Sequence, residues 1–141
     1  MIETERLVLR GWRDEDAAPF LAMGQDPEVM AYLGPLQTAE DVAAGIARQK
    51  ELLETHGHCF WALEERATGA FIGFCGLKPG AAGTPVEGRV EIGWRLARAH
   101  WGKGYAREAA QASLDWGWAK GIDSIWAITV PANVRSWGLM Q

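Results

Sequence analysis

Trp101-Gly102-Lys103-Gly104-Tyr105-Ala106 is the stretch of this 141-residue chain whose residue types and spacing point most directly to chemistry. Two glycines allow a tight turn and a close approach of ligand to backbone, so successive N–H groups can converge on one anion. A helix starting at Tyr105 adds its unpaired N–H groups and the positive end of its dipole. The ligand this arrangement predicts is a phosphate or pyrophosphate. A Walker loop needs Gly, four residues and then Gly-Lys-Ser/Thr, which the chain lacks. A dinucleotide fingerprint needs a third glycine where Arg107 stands, and an acidic residue where the next strand ends at Thr129-Val130. That nucleotide-binding alternative is strained but open, as is the plain one in which the glycines only end one element and begin the next.

The elements that must position this loop are legible on either side of it. Leu7 to Trp12 alternates as a strand. Asp14 is placed to cap a helix carrying Phe20, Leu21 and Met23, with Glu15 and Asp16 complementing its positive end. Asp26-Pro27 predicts a second, short helix through Tyr32. Thr38 and Asp41 form a capping box for a third helix to about Glu54. Phe60–Glu65 and Ala70–Leu77 read as a hairpin about Thr68-Gly69, and Lys78 to Gly88 as a surface loop. Arg89–Leu96 is a strand, Tyr105 to about Lys120 a helix with Ala106, Ala109, Ala110, Leu114 and Gly117 on one face, and Ser124–Val130 a last strand stopped by Pro131. A hairpin beside a strand-helix-strand unit predicts an α/β (α+β) domain with a mixed sheet and helices on both faces.

Composition narrows the partners. A hydrophobic share of 48% and 141 residues suit one domain with a real core. A net charge of −4 and a pI near 5.4 supply no broad basic field for nucleic acid. No apolar run approaches the roughly 20 residues that span a bilayer, and the N-terminus has no secretory pattern, so a cytoplasmic protein is expected. Cys59 and Cys75 make no disulfide framework, and His56-Gly57-His58-Cys59 matches no common zinc spacing, so neither a bridge nor a metal is expected.

Several segments, taken in order, resemble the GNAT N-acetyltransferases, and most closely their RimJ/RimL branch. The pyrophosphate motif of that superfamily, Gln/Arg-x-x-Gly-x-Gly/Ala, is similar to Trp101–Ala106 with Trp in first place, a replacement familiar in RimJ/RimL-type members. Thr4-Glu5-Arg6-Leu7-Val8-Leu9-Arg10, Asp26-Pro27-Glu28-Val29-Met30, Val90-Glu91-Ile92-Gly93-Trp94 and Asn133-x-x-Ser136 agree in register across nearly the whole chain. The resemblance implies a GNAT fold in which the strands at Arg89–Leu96 and Ser124–Val130 splay to admit acetyl-CoA. It implies that the main chain of Trp94, Arg95 and Leu96 pairs with the pantetheine amides, and that N–H groups of Gly102, Lys103, Gly104, Tyr105, Ala106 and Arg107 hold the pyrophosphate. Lys103 can add a charged contact to phosphate or simply be solvated.

The same resemblance implies transfer of acetyl from acetyl-CoA to a primary amine, by direct attack in a ternary complex. Amines are mostly protonated at neutral pH, so a base is needed, and Glu91 matches the position where several GNAT enzymes carry a catalytic glutamate. Asn133 carries over as a cofactor contact and Ser136 as the acid that protonates the leaving thiolate. The alternatives are an Asn133 that only caps a helix and a Glu91 that faces solvent or an arginine. Covalent catalysis by Cys75 would need a positioned base that the sequence does not offer. By the family pattern, residues 1–141 form a single domain lacking its last two strands, and a chain naturally this short is expected to cover apolar strand edges in a homodimer. An acyl-CoA-binding module without catalysis and an inert structural relative also fit the sequence, and the acceptor amine is not specified by it.

Overall fold

A computed structural model describes residues 2–31, 35–80, 82–84 and 86–127. Its centre is a six-stranded sheet in the order β1 (Ile2–Glu3), β2 (Leu7–Arg10), β3 (Phe60–Glu65), β4 (Phe71–Pro79), β5 (Val90–Leu96) and β6 (Ile125–Ala127). Neighbours are antiparallel except β5 and β6, which run parallel because α3 (Tyr105–Ala119) carries the chain back across one face. Helices α1 (Ala17–Gly24) and α2 (Ala39–His56) cover the other face, which makes the mixed, two-sided sheet that the sequence predicts.

Side-chain alternation divides the sheet into two cores. Leu7, Leu9, Leu63, Ile72, Leu77 and Ile92 turn towards α3 and meet Ala109 and Ala110. The small residues on that helix let it lie close: a Cβ at Gly117 would stand 2.8 Å from a Leu77 methyl group. Trp12, Phe20, Met23, Val42, Ile46 and Ala62 form the second core under α1 and α2. Burying each such aliphatic side chain contributes about 1.5–3 kcal/mol, which outweighs the modest helix propensities of these segments.

Four details differ from the sequence reading. First, Arg13, not Asp14, stands at the N-cap, of a single 3₁₀ turn over Asp14–Asp16, and α1 begins only at Ala17. The cause is Asp16, which is drawn inward to take two hydrogen bonds from Arg10, at 2.8 and 2.9 Å, and one from the Arg13 N–H at 2.8 Å. Second, residues 27–31 form turns in place of the expected short helix. The Asp26 carboxylate accepts from the Glu28 N–H, its carbonyl accepts from the Met30 N–H, and Val29 and Met30 dock into the second core; Tyr32 lies outside the described residues. Third, β4 runs on through Lys78 and Pro79, so Lys78 belongs to the sheet and not to a surface loop. Fourth, the short edge strand β1, which the sequence did not signal, pairs with β2. The capping box at Thr38 and Asp41 forms as predicted.

Candidate functional site

The loop after β5 begins with one 3₁₀ turn, Arg98–His100, and leads through Trp101 into α3. Gly102 has φ +75 and Gly104 φ +81, left-handed values that favour glycine, and Gly104 is the N-cap of α3. The first helical bond runs from the Glu108 N–H to the Gly104 carbonyl, which leaves the N–H groups of Tyr105, Ala106 and Arg107 without helical acceptors. Gly102, Lys103, Gly104 and Arg107 are exposed, and no neighbouring atom lies within 4 Å of a Cβ built on Gly102. The loop is therefore an open cradle of donors at the positive end of a 15-residue helix.

The loop is braced from behind by residues that sequence reasoning left without a role. Arg6 donates from Nε to Glu108 Oε1 at 2.7 Å and from Nη1 to the Lys103 carbonyl at 2.8 Å, and its guanidinium lies 4.4 Å from the centre of the Tyr105 ring. Thr4 Oγ1 donates to Glu108, whose Oε2 also accepts from the Arg6 N–H. Burial alone would raise the Glu108 pKa, but these hydrogen bonds outweigh it and hold the carboxyl below its ordinary value. Tyr105 Oη donates to Glu65 Oε2 at 2.6 Å, which lowers the Glu65 pKa and raises that of Tyr105. Thr4 and Arg6 stand 104 and 102 residues from Glu108, and Tyr105 stands 40 from Glu65, so no local pattern announces these pairs; Thr4 and Arg6 stood out only as members of a familiar segment.

Beside the loop runs β5. Its described pairing with β6 covers Val90 to Ile92; residues 128–130, which the sequence reading assigns to the same last strand, lie outside the described residues. The Ala97 N–H donates to Ile72 in β4, and a Cβ at Gly73 would fall on the Arg95 carbonyl, so the Arg95 main chain faces β4. Alternation then turns the main-chain groups of Trp94 and Leu96 away from β4. The Leu96 carbonyl there accepts from Trp101 Nε1 at 3.0 Å, which ties the loop to the strand.

Glu91, Gly93 and Arg95 share the face of β5 that looks towards α1 and α2, and all three are half-buried. Glu91 meets Lys78, its register partner, with Nζ to Oε1 at 3.1 Å; the sequence had suggested solvent or an arginine as the other occupants of that space. Gly93 leaves room for Phe60, whose ring tip would stand 2.5 Å from a Cβ there, and Phe60 stacks on Phe74 at 5.3 Å. Cys75 sits on the opposite face, fully buried, with Sγ 3.7 Å from Ser113 Oγ, and burial pushes its thiol up to about 12. A thiol so held is not a nucleophile at neutral pH. Asn133 and Ser136 lie outside the described residues. Among the described residues no helix is long and apolar enough to cross a membrane.

Comparison with known proteins gives this geometry a family. The profile of the acetyltransferase (GNAT) domain matches residues 6–141. The uncharacterized protein YkkB of Bacillus subtilis is 36% identical over 137 residues, covering 94% of this chain and 77% of that one. The uncharacterized N-acetyltransferase p20 of Bacillus licheniformis is 35% identical over 142 residues, covering 98% of this chain and 78% of the relative. Among solved structures, a GNAT-family acetyltransferase from Bacillus anthracis superposes with a TM-score of 0.84 at 26% identity, over 99% of this chain and 79% of its own. The chain belongs to the GNAT family and is an N-acetyltransferase of that family, whose members use acetyl-CoA.

Proposed function

We propose that the protein transfers acetyl from acetyl-CoA to a primary amine by direct attack in a ternary complex, as a RimJ/RimL-type member of its family. The observation that carries this is the exposed cradle at Gly102–Gly104 at the start of α3, in the connection that follows β5. In this reading, N–H groups from Gly102 to Arg107 hold the diphosphate and Lys103 adds a charge. The pantetheine arm lies along Trp94-Arg95-Leu96 like an added strand, bonding to the main-chain groups of Trp94 and Leu96. Trp101 in the first motif position and Asn133-x-x-Ser136 support the RimJ/RimL branch.

Glu91 takes a proton from the acceptor ammonium, directly or through water, and the free amine attacks the thioester carbonyl. The tetrahedral adduct collapses as the C–S bond breaks: the departing sulfur takes a proton from the Ser136 hydroxyl, and the second proton on nitrogen passes, directly or through water, to the Ser136 oxygen and restores that hydroxyl, with Asn133 holding the coenzyme nearby. Lys78 Nζ, 3.1 Å from Glu91 Oε1, fixes the position of that carboxylate on the face of β5. Release of free thiol from acetyl-CoA, measured across a panel of amines, tests the proposal; thiol release that no amine accelerates would refute it.

A further inference from the structure

The face of β5 that carries Glu91 also carries a cation, Arg95, with no carboxylate partner among the described residues. Arg95 extends beneath the connection between α1 and α2, with Cζ 5.1 Å from the centre of the Phe74 ring and 5.9 Å from that of Phe20. Its Nη1 donates to Gln37 Oε1 at 3.1 Å, and Gln37 is itself fixed by its N–H on the Gly24 carbonyl. Its Nε is buried with no hydrogen-bond partner among the described residues. Arg10, Arg13 and Arg98, near the same helices, each reach a carboxylate: Arg10 that of Asp16 and Glu64, Arg13 that of Glu64, and Arg98 that of Asp26 and Glu28. Among the described residues no carboxylate lies within salt-bridge reach of Arg95. Desolvation accordingly lowers its pKa to about 10, still far above neutrality.

A buried guanidinium with one neutral acceptor and an orphaned Nε is costly to keep, and a bidentate anion is the partner its planar fork matches. The surroundings are not sealed: Arg95, Gly93, Glu91, Phe60 and Phe74 all retain partial exposure, with the Phe60 ring lying over Gly93 between the two charged residues. The four residue steps from Glu91 to Arg95 span about 13 Å of strand. Accepting Glu91 as the base, on which this step rests, we infer that the acceptor is an amine that also carries an anionic group, a carboxylate or a phosphate, several bonds from its nitrogen, and that Arg95 is the residue selecting it. A polyamine would set its second cation against Arg95 and is disfavoured.

Matched acceptors test this with the protein as it stands. Initial rates are measured at saturating acetyl-CoA for dialanine and its C-terminal amide, for phosphoethanolamine and ethanolamine, and for spermidine. At least one anionic amine is expected to exceed its uncharged partner about tenfold or more in kcat/KM, and which pair responds tells carboxylate from phosphate. Arg95→Gln is expected to raise KM for that substrate about tenfold and to bring the preference close to one. A merely structural role would lower both members of the pair alike. Equal rates within both pairs, spermidine as the best substrate, turnover of none of the anionic amines, or a preference that survives Arg95→Gln would each overturn the inference. The transferase reading fails separately, when no amine of any charge accelerates thiol release from acetyl-CoA.

Discussion

Lys78 and Glu91 face each other across the ladder between β4 and β5, with 3.1 Å between Nζ and Oε1, and Lys78 also lies 5.2 Å from the centre of the Phe60 ring. The pair is largely shielded, at 11% and 15% side-chain exposure. Glu91→Gln is therefore expected to lower kcat by about 10²-fold or more, the scale of a lost general base, while acetyl-CoA still raises the melting temperature. Because the variant strands the lysine, the double change Lys78→Met with Glu91→Gln serves as a control: it should recover stability without recovering turnover. A kcat within threefold of the parent, on the order of 0.7 kcal/mol in barrier, would remove Glu91 from the chemistry.

Arg6 braces the cradle through Glu108 and the Lys103 carbonyl. As a partly exposed pair it contributes only about 1 kcal/mol or less to stability. Its larger effect is on the order of the loop, so Arg6→Ala is expected to raise the acetyl-CoA Kd by about tenfold, with a far smaller effect on unfolding. Calorimetric titration reads the first and urea unfolding the second. An unchanged Kd would show that the loop holds its shape without the brace.

Asp16 stands in the interior with only 3% of its side chain exposed, accepting from both Nη atoms of Arg10. Burial pushes its pKa up, but the bonds from Arg10 and from the Arg13 N–H prevail and the net shift is downward. A depressed folded-state pKa means stability that is present above the unfolded value near 4 and lost as pH falls through the folded value. Stability should thus decline on acidification below about pH 4, and Asp16→Asn should flatten that decline. The same change at neutral pH is expected to cost about 3 kcal/mol, since it leaves Arg10 with Glu64 alone. An acid limb of the same slope in the variant would assign it to other carboxyls.

Local chemistry was what the sequence made legible. The glycines that turn the chain into α3, the capping box at Thr38 and the strands β3 and β5 are each written within a few residues and formed where expected, while β4 ran two residues past its expected end. What the sequence did not show depends on partners distant in the chain. Asp16 belongs to Arg10 before it belongs to a helix dipole, and Arg6 finds Glu108 only after folding has joined β2 to α3. Lys78, in a stretch followed by Gly, Ala and Pro, had the look of a loop residue until Glu91 stood opposite it in register. Arg95 reads as one more alternating strand position, because a missing counter-charge leaves no mark on a sequence.

The account rests on main-chain N–H groups at the start of α3 gripping the diphosphate of acetyl-CoA, and paired thermal unfolding of the parent and Gly104→Val tests it most directly. At a hundred times its Kd, acetyl-CoA should stabilise the parent by about 2.7 kcal/mol. Gly104→Val places a β-branched residue at φ +81 and should cost about 1–3 kcal/mol of fold stability while abolishing the ligand-induced shift. A folded variant that acetyl-CoA stabilises as much as the parent would contradict the account.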